Sequence, residues 1–149
     1  MTKSFADLWT GTWDYRAYRN WTFDQEQTPP DGLDFLFGSG SIILEAAAAP
    51  NRLRGTIGDV ARSPDGWQLE LSGSFNYGDP FTARFQGRGE VGGNPWLYEY
   101  VGYLVNPWQN GIDQVPAIVG SVIRGKKHPG DGGHEHPAGV VASFFAVKT

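Results

Sequence analysis

The sequence predicts an all-β fold: an eight-stranded antiparallel up-and-down β-barrel with a short N-terminal helix. Three observations carry that expectation. With 21 glycines and 10 prolines spread over 149 residues, the chain is cut into short segments that suit strands and turns. Several of those segments alternate apolar and polar residues with period 2, as half-buried strands do. The links between most of them are short, and none offers the crossover helix that parallel strands need. Strands in simple succession leave two raw edges unless the sheet closes on itself, and closure makes a barrel.

The elements follow in order. The one helical candidate is 2–9, with Phe5, Leu8 and Trp9 on one side, placed to plug a barrel end. Strand one, 11–19, puts Trp13, Tyr15 and Ala17 on one face with Arg19 at its end. Thr12, Asp14, Arg16 and Tyr18 take the other face. Strand two lies within 33–47 and contains a Gly38-Ser39-Gly40 bend, and the alanines before Pro50 form a short turn. Strand three, 52–58, sets Leu53, Gly55 and Ile57 against Arg54, Thr56 and Gly58. Strand four, 67–75, is the clearest: Trp67, Leu69, Leu71, Gly73 and Phe75 oppose Gln68, Glu70, Ser72 and Ser74. Strand five, 81–88, repeats the pattern with Phe81, Ala83, Phe85 and Gly87. Strand six, 96–105, carries Trp96, Tyr98 and Tyr100 on one face and Leu97, Glu99, Val101 and Tyr103 on the other. Strands seven (117–124) and eight (140–147) are apolar on both faces, so alternation alone leaves their inner face undecided. Pro64-Asp65-Gly66, Tyr77-Gly78-Asp79-Pro80 and Gly92-Gly93-Asn94-Pro95 mark turns, and the glycines inside strands suit the bends that closure requires.

Composition narrows the function classes. A net charge of −4 with no basic face argues against nucleic acid as a partner. The absence of cysteine excludes disulfides, thiolate catalysis and Cys-based zinc sites. No run approaches the roughly 20 apolar residues of a membrane helix. MTKSFADLW has no apolar stretch behind its lysine, so a cytoplasmic location is expected. Composition does not shift along the chain, which suits one domain over 1–149.

The short opening segment followed by Gly11-Thr12-Trp13 at the start of strand one resembles the calycins, the superfamily of lipocalins, avidins and fatty-acid-binding barrels. Leu53-Arg54-Gly55-Thr56-Ile57 is similar to avidin strands. The resemblance implies that Trp13 lies across the closed end, that the barrel holds a small ligand, and that the later strands build oligomer contacts. It implies a pocket without naming what the pocket binds.

An eight-stranded barrel either fills with side chains or holds one small ligand. The leading expectation is non-covalent binding of a small apolar or aromatic molecule in the interior. Trp13 would close the floor, and Tyr15, Phe75 and Phe85 would line the wall. Trp21 and Phe23, in the long loop 20–32, would cover the mouth, and Arg19 would orient an anionic group. The alternative is a cofactor-independent barrel enzyme, an isomerase or cyclase, with Glu99 as base and Tyr103 as its same-face partner. A third reading is a ligand-free structural or interaction barrel. No nucleophile elbow, phosphate loop or dinucleotide fingerprint is present, and no cofactor is expected.

The loop 125–139 holds every histidine of the chain, His128, His134 and His136. In an extended segment His134 and His136 point the same way and could share a metal, with His128 or Glu135 as a third ligand. The Gly and Pro content favours a mobile solvated loop instead, so no metal site is assigned. The doubly apolar strands AIVGSVI and VVASFFAV predict a homo-oligomer, a dimer or larger, joined through the outside of strands six to eight.

Overall fold

The computed structural model describes residues 5–19, 36–59, 66–76, 81–105, 114–129 and 135–149. Eight long strands close into a barrel: β1 (Gly11–Arg19), β2 (Leu36–Ala46), β3 (Arg52–Asp59), β4 (Trp67–Asn76), β5 (Thr82–Val91), β6 (Asn94–Val105), β7 (Ala117–Arg124) and β10 (Val141–Lys148). Two short strands, β8 (His128–Pro129) and β9 (Glu135–His136), pair with each other between β7 and β10. Every barrel strand runs antiparallel to its neighbours, and β10 returns to β1 to remove the last edge. Among the described residues no helix is long and apolar enough to cross a membrane.

Period-2 alternation resolves into inside and outside. On β1, Trp13, Tyr15 and Ala17 are buried while Thr12, Asp14 and Arg16 are exposed. On β4, Leu69, Leu71, Gly73 and Phe75 are buried. The later strands, ambiguous in sequence, turn Tyr98, Tyr100 and Leu104 of β6, Ile118, Val122 and Arg124 of β7, and Ala142, Phe144 and Ala146 of β10 inward. Tyr103, Val119, Ile123 and Phe145 are left outside.

Strand direction sets a second coordinate, depth along the axis. β1 starts at the closed end and finishes at the open end, and its neighbours alternate. Phe75 closes β4 and Phe85 lies early in β5, so both sit toward the closed end. Trp9, fully buried, meets them there, with ring centroids 6.4 Å from Phe75 and 6.5 Å from Phe85. The expected helix over 2–9 is a single 3-10 turn, Phe5–Leu8, within the described residues. The Trp9 N–H donates to the Ala6 carbonyl at 3.0 Å, and Gly11, at φ 129°, swings the chain into β1. That abrupt entrance drops the Trp9 indole into the barrel, which a helix continuing past it would not. The Trp13 indole donates to the Trp9 carbonyl at 3.0 Å and latches the plug, with the Lys148 ammonium 5.5 Å above the Trp13 ring.

Two backbone features shape the rest. The β5–β6 hairpin turns on Gly92 and Gly93, at φ 60° and 80°, with Val91 opposite Asn94, the geometry of a type I′ turn. Opposite the end of β1, the register slips between Ala17 and Tyr18: Ala17 faces Gly38, but Tyr18 faces Leu36. Phe37 is therefore the extra residue of a β-bulge.

Trp9→Ala should lower the stability of the fold by about 3–5 kcal/mol, the usual cost of emptying an aromatic core site. Urea unfolding followed by far-UV circular dichroism measures this. A loss within about 1 kcal/mol would mean that the plug is not part of the core.

Candidate functional site

The interior is divided. Its closed half is packed, with a residual void of about 10 Å³ between Ile42, Leu44, Ile57, Leu71 and their neighbours, room for one water at most. A layer of Tyr15, Tyr100 and Phe144 caps this half, with ring centroids 5.6–6.1 Å apart. Above the layer lies a cavity of about 450 Å³ that opens at the other end of the barrel.

Its walls come from strand ends. Trp67 opens β4, Trp96 and Tyr98 lie near the start of β6, Val91 ends β5, and Arg124 ends β7. Phe37 joins them because the bulge gives β2 two consecutive lining residues, Phe37 and Gly38. The rings contact one another: Trp67–Trp96 at 6.1 Å, Trp96–Tyr98 at 6.1 Å and Phe37–Tyr98 at 5.9 Å.

Between β7 and β10, residues 125–129 and 135–140 fold back over one side of the mouth. The Gly125 N–H donates to the Leu97 carbonyl at 2.8 Å, and the Gly139 N–H to the Arg124 carbonyl at 2.7 Å. In the β8–β9 ladder His128 faces His136, and the rings stack in series: Trp96–His128 at 4.0 Å, His128–His136 at 5.3 Å. An exposed Lys127–Glu135 pair at 3.6 Å lies at the edge of this ladder.

Hydrogen bonding assigns the protons. His128 Nδ1 lies 2.9 Å from the Pro129 carbonyl, which only accepts, so Nδ1 carries the hydrogen. In the neutral ring Nε2 is then an acceptor, and the Tyr98 hydroxyl, 2.6 Å away, donates to it. The Tyr98 oxygen in turn accepts from Arg124 Nε at 3.1 Å. The result is a directed chain, Arg124 to Tyr98 to His128 to the Pro129 carbonyl. Arg124 Nη1 also donates to the Pro137 carbonyl at 3.1 Å. Its guanidinium lies 4.8 Å over Phe37 and 5.8 Å from the Tyr98 ring centroid.

Burial raises the pKa of all three cavity tyrosines and so disfavours their ionisation. For Tyr15 the neighbouring Tyr98 adds to this, and for Tyr100 both other tyrosines do. For Tyr98 burial outweighs the opposing pull of Arg124. Burial lowers the pKa of His128 below 6.5; the charges of Arg124 and His136 push the same way, against the bond to the Pro129 carbonyl. At neutral pH the cavity thus combines neutral tyrosines and a neutral His128 with the Arg124 guanidinium. Among the described residues no carboxylate lies within ion-pair distance of Arg124.

Of the residues expected to line a pocket, Tyr15 does. Trp13, Phe75 and Phe85 are inward but belong to the packed half, because their places on the strands put them at the closed end. Arg19 is exposed on the rim, outside the cavity lining. Trp21, Phe23 and the loop 20–32 lie outside the described residues, as does His134. Glu99 and Tyr103 are on the outer face, where Glu99 accepts from Gln86 Nε2 at 3.3 Å and Tyr103 is 42% exposed. Neither reaches the cavity, so the chemistry expected of that pair has no enclosed site. Both ring nitrogens of His128 are already engaged. Among the described residues no group of three His, Cys, Asp or Glu side chains could hold a metal.

Sequence reasoning missed Arg124 as a site residue and singled out His128 only as a possible metal ligand, not as part of a cavity wall. Arg124 had a signal, since it ends the inward row Ile118, Gly120, Val122 as its one charged member. His128 had none, because its position depends on the fold-back of the chain. Searches against protein-family models, curated proteins and solved structures found no match to the chain.

The sign of the pH dependence follows. His128 binds protons less readily folded than unfolded, so its contribution to stability is fully present above pH 6.5 and lost as pH falls toward its depressed folded value. Protonation adds a charge facing Arg124 and His136 and removes the acceptor for the Tyr98 proton. Between about pH 7.5 and about pH 5 the melting temperature of the wild type should fall more than that of His128→Gln. Parallel curves in a thermal scan would refute the neutral assignment of His128.

Proposed function

We propose that this barrel binds one small apolar or aromatic molecule, non-covalently, in the cavity at its open end. The observation that carries this is the roughly 450 Å³ space walled by Phe37, Trp67, Trp96 and Tyr98 above the tyrosine layer. Its volume falls within the roughly 300–1,000 Å³ of small-molecule sites, and its lining is mainly aromatic with a few placed polar groups. Flat rings at several inclinations suit a planar guest, which gains apolar burial and edge-to-face contact. The calycin resemblance of Gly11-Thr12-Trp13 supports the same reading: a tryptophan-closed floor and a ligand at the far end.

Gly38 offers a direct test. It lines the cavity, and a Cβ there meets only Tyr15 Cε1, at an ordinary 3.9 Å. Gly38→Phe should therefore fold and occupy the cavity. The neutral probe N-phenyl-1-naphthylamine should bind the wild type with one site per chain and enhanced fluorescence. Gly38→Phe should weaken it about tenfold or more. Equal binding by a folded Gly38→Phe protein would place the probe elsewhere.

We also propose that a second copy of the chain covers the outer face of β6, β7 and β10. Tyr103, Val119 and Phe145 align in register across these strands and are each at least 36% exposed, with Tyr18 stacked on Phe145 at 6.2 Å. Ile123 and Val141 form a second apolar pair beside them. The outer faces of β2 to β5 present Glu45, Arg54, Glu70, Arg84 and Arg88, with Ile43 as their one exposed large hydrophobic among the described residues, so most exposed apolar surface is on the other side. Sedimentation should show a dimer or larger for the wild type and a monomer for Val119→Arg. A monomeric wild type at high micromolar concentration would rule this out.

A further inference from the structure

We infer that the ligand of this cavity is a monoanion, an aromatic or apolar carboxylate whose charged group docks on Arg124. This rests on the proposed binding of a small molecule in the same space and specifies its chemical class.

Three observations point there. Arg124 lines the cavity yet is only 6% exposed. A buried guanidinium is costly unless its charge is compensated. Among the described residues Arg124 has no carboxylate partner and makes two hydrogen bonds, both to neutral oxygens, those of Tyr98 and Pro137. A guanidinium has five N–H donors, so donors remain for a guest.

The guanidinium is held rather than loose. Nε is fixed by Tyr98, Nη1 by Pro137, and Cζ lies 4.8 Å from the Phe37 ring centroid. The Arg124 backbone is bound at both groups, its N–H to Val140 and its carbonyl to Gly139. A fork immobilised in this way suits a planar carboxylate and pays little ordering entropy on binding.

Charge balance selects the valence. Among the described residues, the other ionisable groups facing the cavity are tyrosines held neutral by burial and His128 with Nε2 occupied by the Tyr98 proton. His136, stacked on the far side of His128, completes the set on the fold-back segment. One fixed positive charge is neutralised by one negative charge. A phosphate dianion would bring a second negative charge, and among the described lining residues no second Lys or Arg stands beside Arg124 to meet it. The aromatic walls supply the rest of the recognition, so the anion should carry a ring system.

Calorimetric titration of the full chain near neutral pH and at low salt compares two probes of one shape. These are 2-naphthoate, an aromatic monoanion, and 2-naphthamide, its neutral counterpart. The wild type should bind 2-naphthoate about tenfold or more tightly than 2-naphthamide. Arg124→Gln should bring the ratio close to one, mainly by weakening 2-naphthoate. Should that variant not fold, Tyr98→Phe keeps the aromatic wall and releases Nε, and the ratio should fall severalfold with 2-naphthamide affinity retained. Equal affinities in the wild type would overturn the anion assignment and leave aromatic binding standing. A preference that survives in folded Arg124→Gln, or in Tyr98→Phe where it is the only folded variant, would overturn the role of Arg124. Binding of neither probe would overturn both the anion class and the binding function it rests on.

Discussion

Arg124 ties together three parts of the molecule that would otherwise meet only loosely. Its backbone ends β7 and is paired with Gly139 and Val140, so the chain leaving the barrel wall returns to the same residue. Its side chain reaches Tyr98 on β6 and Pro137 on the fold-back segment, and lies against Phe37 on β2. The Tyr98 hydroxyl then aligns His128, and His128 stacks on Trp96. The mouth is therefore built around one buried cation, and the neutral state of its neighbours follows from their burial beside it.

That arrangement depends on a barrel that is packed at one end only. In the closed half, Trp9, Trp13, Phe75 and Phe85 occupy the section, and Leu44, Leu53, Leu104 and Ile118 fill between them. In the open half the inner face of β2 is glycine at 38 and 40, and the large side chains stand at the rim. Volume distributed in this way along the axis gives a hydrophobic core and a cavity within one sheet. The layer of Tyr15, Tyr100 and Phe144 separates them, buried enough that its hydroxyls stay protonated.

Much of the fold was legible beforehand. WQLELSGSF is the clearest period-2 strand with one buried face, and Gly92-Gly93-Asn94-Pro95 signals a turn. The site was less legible because alternation reports which face a residue occupies and not how far along the axis it sits. Phe75 and Phe85 were correctly inward, yet they belong to the packed half. Glu99 and Tyr103 share a face, as expected, but it is the outer one. Phe37 reaches the cavity only because a bulge interrupts the alternation that would have turned it out. His128 was grouped with a solvated loop, and its burial comes from a two-residue ladder too short to leave a pattern.

The all-β class, the strand succession, the turns and the inner faces of the early strands can be read from the linear chain. Those features arise from short-range sterics and from the period of the strand, which a linear pattern records. Tertiary structure alone decided which face of β6, β7 and β10 is inside, and where the packing stops. It also placed an arginine, a tyrosine and a histidine from separate segments in one hydrogen-bonded chain. Those outcomes are set by closure of the sheet and by the return of residues 125–129 and 135–140 onto it, contacts between residues remote in sequence that no local pattern encodes.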